Sequence, residues 1–487
     1  MKGFRNILLF PLLASCSAVE QQKPNFIVIL VDDLGWADVN CNNPGTFYET
    51  PNIDRMAETG VRFAQAYSAH PVSSPTRAAI MTGKHPNRVG ITDWIPGDRQ
   101  TKRPFLGPKI NNELALEEFT LAEKLKEKGY KTCFIGKWHL GGEGFYPEDQ
   151  GFDINIGGMD KGSPPGGYYS PYNNPKLKDG PDGEYLTDRL TNESISFIEE
   201  NLKEPFLLYL SFYTVHTPIQ ASEKHVEKFR QKRNMMGLWD DINQTESRQG
   251  SPVPHNDTDQ RFYRTEGEGW TKLFQDNANY ASMVAAMDEN VGRLMGALQK
   301  AGLDNNTWVF FTSDNGGLST LYAKGAPTSN DKLRAGKGWC YEGGIRVPFI
   351  IKGPGIKNPG RAVNQPVVSM DIFPTLLSLA GVKHDKNDGE NLIPVLKEDK
   401  QIPRDELFWH YPHYHGSAWK PGSALRKGDW KLVIHYEDNR TELFNLGEDP
   451  GETTDLTDKF PEKTEELKKL LNEKLAETGA KFPNRIP

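Results

Sequence analysis

Asn25-Phe26-Ile27-Val28-Ile29-Leu30-Val31-Asp32-Asp33 is a mostly apolar, β-branched run that ends on two carboxylates. Polar residues do not alternate through it, so it reads as a strand buried on both faces, the signature of a parallel sheet with acidic groups at its carboxyl end. Similar runs stand at 131–135, 206–212, 308–312 and 347–352, with helical patterns between them at 116–128, 187–202 and 276–301. Strands alternating with helices predict an α/β fold, a mostly parallel central sheet flanked by helices. Such sheets bind ligands beyond the carboxyl ends of their strands. Asp32, Gly136-Lys137, Thr214 to His216 and Asp314 all follow expected strands and so belong to one rim.

The chain has 487 residues and a net charge of −7. It can bury a large core, and it has no global basic field for nucleic acid, so an anionic substrate must be held by local cations. Met1 to Asn6 is basic, residues 7–13 are apolar, and Ala14-Ser15-Cys16 follows. That reads as a signal peptide over 1–18, too short to span a bilayer. Leu13-Ala14-Ser15-Cys16 resembles a bacterial lipoprotein box with Cys16 as the lipidated residue; the alternative is cleavage after Ala18 without lipid. The expected product is exported, either periplasmic or anchored to a membrane by that lipid alone. Cys41, Cys133 and Cys340 are too few and too scattered for a disulfide framework or zinc cluster, and buried free thiols are expected.

The main domain is expected over 19–384, with a polar insertion at about 222–269 that frames substrate or forms a lid. Residues 385–487 read as a smaller α+β subdomain. Its hairpin is expected at 430–436 and 442–446, and its helix at 462–478, with Leu467, Leu470, Leu471 and Leu475 on one face.

Ser73-Ser74-Pro75-Thr76-Arg77 opens an apolar helical stretch. Proline suits a first helical turn, free amides there attract anions, and Arg77 lies one turn on from Ser73. An ordinary helix start with a surface arginine fits those five residues equally well. Asp32-Asp33 and Ser313-Asp314-Asn315-Gly316-Gly317 set three carboxylates and an amide carbonyl after strands. Each could be a turn, but together they suit a hard cation, and calcium best tolerates the mixed set. Lys137 and His139 share a side if Gly136-Lys137-Trp138-His139-Leu140-Gly141 stays extended. His216 stands before a proline turn, and glycines flank Lys337 so that backbone can approach a ligand.

The pentapeptide and its tail Ala78-Ala79-Ile80-Met81-Thr82-Gly83 resemble the signature of type I sulfatases of the alkaline phosphatase-like superfamily, in the serine form of bacterial carbohydrate sulfatases. The segments around Lys137, His216 and Lys337 resemble the same family in the same order. The resemblance implies that Ser73 is converted to formylglycine by a serine-type maturing enzyme. It implies Asp32, Asp33, Asp314, Asn315 and modified Ser73 as ligands of Ca2+. It further implies that Lys137 braces the hydrate and sulfate, that His139 is a base, that His216 donates toward the leaving alcohol, and that Lys337 is a second clamp and proton donor. Glu342 and Arg346 are expected to be a buried pair that holds a turn.

Trp409-His410-Tyr411-Pro412-His413-Tyr414-His415 is rich in aromatic and imidazole groups that suit a sugar ring, or else packs the domains together. His413, His415 and Trp409 are the substrate candidates. The function implied is hydrolysis of a sulfate ester on a galactose- or hexosamine-type sugar of an oligosaccharide, with exo action. The alternatives are a phosphodiesterase or phosphonate hydrolase of the superfamily, and an inactive glycan-binding lipoprotein.

Overall fold

The computed structural model describes residues 22–97, 102–236, 245–246, 252–253, 262–383 and 387–486. The signal segment with Cys16 and much of the 222–269 insertion lie outside the described residues. The central sheet consists of β1 (Asn25–Val31), β2 (Val61–Phe63), β3 (Lys131–Gly136), β4 (Ile154–Ile156), β5 (Phe206–Ser211), β6 (Thr307–Ser313), β7 (Phe349–Lys352) and β8 (Ala362–Val363). Across the sheet the order is β8-β2-β7-β6-β1-β5-β3-β4. Only β7 runs against its neighbours, pairing antiparallel with β6 and β2; the other pairings are parallel.

Register gathers the strand ends. Val31 of β1 sits opposite Ser313, Leu30 opposite Ser211, and Gly136 opposite Ser211, so the segments carrying Asp32, Asp314 and Lys137 leave the sheet at one level. Both faces of β1 are covered. Ile27, Ile29 and Val31 join one apolar cluster, and Phe26, Val28 and Leu30 the other, which is why β1 has no polar alternation.

The helices that matter to the site are α1 (Ser73–Thr82), α2 (Leu121–Lys126), α3 (Leu186–Glu200) and α4 (Ala278–Lys300). Leu190 and Ile198 of α3 and Val284 and Val291 of α4 cover the first face, while Ala78 and Ile80 of α1 and Leu121 and Leu125 of α2 cover the second. The helix expected at 116–128 is shorter because Thr120 closes its start. The Thr120 hydroxyl accepts from the Glu123 amide at 3.2 Å, and the Glu123 carboxylate accepts from the Thr120 amide at 2.8 Å, leaving Leu116 and Phe119 outside.

Beyond the main sheet, β9 (Glu406–Tyr411), β10 (Gly422–Lys427), β11 (Trp430–His435) and β12 (Thr441–Asn445) form an antiparallel meander, and α5 (Pro461–Glu477) packs on it. Leu467, Leu471 and Leu475 of α5 meet Leu425, Leu432 and Leu443. The opposite face of the meander places Trp409, Val433 and Phe444 against Tyr67, Trp339 and Tyr341. Cys41, Cys133 and Cys340 are free thiols. Among the described residues no helix is long and apolar enough to cross a membrane.

Candidate active site

Ser73 opens α1 after extended Val72, and no side chain caps the helix there. All ten residues of α1 are buried, and Ser73 retains only a small exposed surface. The Ser73 hydroxyl stands 3.3 Å from Asp32 Oδ1, 3.3 Å from Asn315 Oδ1 and 3.5 Å from Lys137 Nζ. Three strand ends and a helix start therefore converge on one oxygen.

Arg77 is the brace of this arrangement. Its Nε and Nη2 donate to Asp314 Oδ2 at 3.0 and 2.7 Å, and its Nη1 donates to the Lys137 carbonyl at 2.9 Å and Ser211 Oγ at 2.7 Å. Counted among the catalytic candidates, it is buried and outside the cavity wall, where its contacts position the carboxylates. Its charge is locked on: burial opposes it, but Asp314 and Asp32 overcome that and raise its pKa.

Lys137 donates to Asp32 Oδ2 at 2.7 Å, and Lys337 lies 2.7 and 2.8 Å from the two oxygens of Asp33. Asn315 Nδ2 donates to Asp33 Oδ1 at 2.8 Å. Burial pushes the Asp32 carboxyl up to about 8 even beside Lys137. Burial also opposes ionisation of Asp33, but Lys337 and His216 outweigh it and lower its pKa. For Asp314 burial is outweighed chiefly by Arg77, and its carboxyl is held low. The described residues contain a cluster of Asp32, Asp33 and His216 whose ligand atoms lie within 4.8 Å of one another. Oxygen-rich and desolvated, with a carboxyl that burial alone would protonate, this donor set fits a hard divalent cation.

The histidines are oriented by backbone carbonyls. His139 Nε2 is 2.7 Å from the Ile95 carbonyl, which can only accept, so Nε2 carries the proton. Buried Nδ1 is left as a bare lone pair without a hydrogen-bond partner among the described residues. The segment bends after β3, with φ of 102° at Gly136 and 58° at His139, so the extended geometry expected there is absent. His216 Nδ1 likewise donates to the Thr217 carbonyl at 2.8 Å, and its Nε2 faces Asp33 Oδ2 at 3.8 Å. Burial, reinforced by Lys337, lowers the His216 pKa to about 3. In the neutral form this tautomer leaves Nε2 as the lone pair, turned toward Asp33.

A cavity of about 660 Å³ opens onto this centre, and its wall includes Ser73, His139, His216, Lys337 and His415. Asn112, Glu113, Asp160 and Lys161 also line it, the last two paired at 2.8 Å. These loop residues carry no motif and were not foreseen. Of the substrate candidates, His415 is in the wall. Trp409 is not: 1% exposed, it donates to the Ser68 carbonyl at 2.9 Å and packs 5.3 Å from Tyr67, as a core residue. His413 lies at a neighbouring cavity, 3.0 Å from Thr92 Oγ1. The expected Glu342–Arg346 pair is loose at 3.7 Å; Glu342 is bound instead by Lys431 at 2.9 Å and Tyr67 at 2.8 Å.

Beside the site lies a layer of buried imidazoles. Burial lowers His85 and His410 to about 4 and His413 to about 3, and holds His70 well below its usual value. Each must take up a proton on unfolding in acid, so the unfolded chain binds more protons below its own histidine range near 6.5. The stability these histidines contribute is thus full above about pH 6.5 and falls as pH drops toward 4. Thermal midpoints measured between pH 7.5 and 4.5 should fall steadily; a flat profile would refute the neutral layer.

Fold and site define an α/β enzyme whose chemistry sits at the carboxyl ends of a mostly parallel sheet, beside a cluster of buried carboxylates. The family described as Sulfatase matches residues 24–382, and the one described as N-sulphoglucosamine sulphohydrolase, C-terminal, matches 335–481. The chain is 32% identical to a sulfatase of Formosa agariphila, over 98% of this chain and 93% of that protein. It is 29% identical to the N-acetylgalactosamine-6-sulfatase of Mus musculus, over 92% and 84%. The crystal structure of Ps i-CgsB in complex with k-i-k-neocarrahexaose aligns with a TM-score of 0.69 at 30% identity, covering 94% of this chain and 92% of that one. The chain belongs to the sulfatase family and is a sulfuric ester hydrolase.

Proposed function

We propose that this sulfatase removes sulfate from a galactose- or hexosamine-type sugar at the end of an oligosaccharide, using Ser73 converted to formylglycine and a calcium ion. The observation that carries the reading is the Ser73 oxygen, set between Asp32, Asn315 and Lys137 in the wall of a cavity that also presents His139 and Lys337. Similarity to N-acetylgalactosamine-6-sulfatases and to a protein solved with a neocarrahexaose supports a carbohydrate substrate.

Asp32, Asp33, Asp314 and Asn315, with the group at 73, would hold calcium, which when bound supplies positive charge to polarise sulfuryl oxygens. The carboxylates of Asp32, Asp33 and Asp314 are matched by the cations of Lys137, Arg77 and Lys337. A dication added to that balanced set leaves net positive charge where negative charge develops as sulfate forms. Oxidation of Ser73 gives an aldehyde, and addition of water to it supplies two hydroxyls on one carbon; the ester of a plain serine has no second hydroxyl to expel sulfate. Lys137 steadies the oxygen at 73, and Lys337 donates to a ligand from the cavity wall. His139 Nδ1, already deprotonated and unpartnered, takes the proton released at position 73. Lys337 and His216, both in the cavity wall, are placed to serve the leaving oxygen.

Ser73 is 2% exposed, so the maturing enzyme acts before α1 docks. The N-terminal sequence supports export and a lipid anchor at Cys16. Chelation of the matured enzyme should cut turnover of a sulfated sugar at least about a hundredfold, on the scale of losing one preorganised electrostatic stabiliser. Calcium should restore it. Full activity after exhaustive chelation would sink the calcium assignment. An aryl sulfate should be turned over far faster than an aryl phosphodiester, and the reverse order would favour the phosphodiesterase alternative.

A further inference from the structure

A second cavity of about 280 Å³ adjoins the first, and Pro96 and Asn112 form part of both walls. Its other walls come from the stretch Phe105 to Ile110 and from His413 and Tyr414 of the aromatic loop. Phe105 and Leu106 pair antiparallel with Arg485 and Asn484, which ties this wall to the C-terminal end of the chain. The backbone at Gly107 lies flush on an imidazole: a Cβ there would stand 2.3 Å from His413 Nδ1. The cavity is therefore built of anchored backbone, a ring edge and polar groups, the materials of a sugar site.

Charge decides what kind of sugar. Asp93 shares the wall, but it is buried and accepts from the Tyr411 hydroxyl at 2.8 Å and the Trp94 amide at 2.9 Å. Lys109 is exposed and has no ion-pair partner among the described residues. In the first cavity the ammonium of Lys337 is taken by Asp33 and by the sulfate to be cleaved. Glu113 stands in that wall without a cation, and Lys161 is occupied by Asp160. An anionic group next to the cleaved sulfate is thus disfavoured in the first cavity and favoured in the second.

We infer that the second cavity is a subsite for the neighbouring sugar of the chain, and that Lys109 selects a neighbour carrying an anionic group, a carboxylate or a sulfate ester. This rests on the carbohydrate reading above. Asn112, at the shared wall, spans the link between the two sugars.

The test uses the full matured enzyme and three substrates with the same sulfated terminal sugar: the monosaccharide, its disaccharide with neutral galactose, and its disaccharide with a uronic acid. kcat/KM should rise along that series, with the uronic acid compound about tenfold above the neutral one, the size of one partly screened charge-assisted contact. Lys109→Ala should remove that tenfold advantage and leave monosaccharide turnover unchanged. Equal kcat/KM for all three substrates, or an advantage that survives Lys109→Ala, would overturn the inference. Failure to turn over any sulfated sugar would instead strike the carbohydrate reading, so the two failures are distinct.

Discussion

Replacing Ser73 by alanine is expected to lower turnover of a sulfated sugar by roughly five to six orders of magnitude, the scale of removing a nucleophile from a preorganised site. The loss is that large because the remaining groups have nothing to act on. Lys137, Asp32 and Asn315 all converge on the oxygen at position 73, within 3.3 to 3.5 Å. His139 lines the same cavity. Stability should barely change, since those contacts are long and no cap or core packing is lost; a shift of about 1 kcal/mol is the scale of one weak hydrogen bond. Activity assays paired with thermal melts check both halves. A Ser73→Ala enzyme with measurable turnover, or one that fails to fold, would count against the assignment.

Lys431→Ala is expected to cost about 3–5 kcal/mol, the range for removing one partner of a buried ion cluster. Lys431 on β11 is fully buried between Glu342 Oε1 at 2.9 Å and Glu452 Oε1 at 2.7 Å. Removing it leaves two buried carboxylates without their shared cation. Glu342 also accepts from Tyr67 at 2.8 Å and begins just after the glycine-rich loop that carries Lys337. The same loop is tied to the meander by Trp339, whose indole donates to the Ser417 carbonyl at 2.7 Å. The loss therefore loosens both the subdomain and the sulfate clamp. Urea unfolding measures the first, and KM for the sulfated sugar the second. Adding Glu342→Gln and Glu452→Gln should recover much of the stability, whereas an undiminished midpoint in Lys431→Ala alone would contradict the buried-cluster argument.

Much of this was legible in the chain because buried parallel strands are continuous apolar runs. β1 matches its expected bounds, and β3, β5 and β6 differ from theirs by a residue or so. The direction of β7 was not legible, since an apolar run of four residues looks the same either way along a sheet. The start of α2 was written in Thr120-Leu121-Ala122-Glu123, a local capping signal that the longer hydrophobic pattern overrode. Asp32, Lys137 and Asp314 come together because each follows a strand in register with its neighbours. Residues brought in by long-range packing were not readable. Trp409 went to the core because the meander needs a large ring against Tyr67, while Glu113, Asp160 and Lys109 reached the cavities on loops whose composition carries no signal. The tautomers of His139 and His216 were also invisible, since each depends on a backbone carbonyl fixed only by the fold.

The most direct test is the mass of the peptide containing Ser73, taken from enzyme that demonstrably releases sulfate from a sulfated sugar. The expected peptide is lighter by two hydrogen atoms than the encoded one and reacts with an aldehyde-specific hydrazide. An active preparation in which that peptide carries only unmodified serine would contradict the central claim.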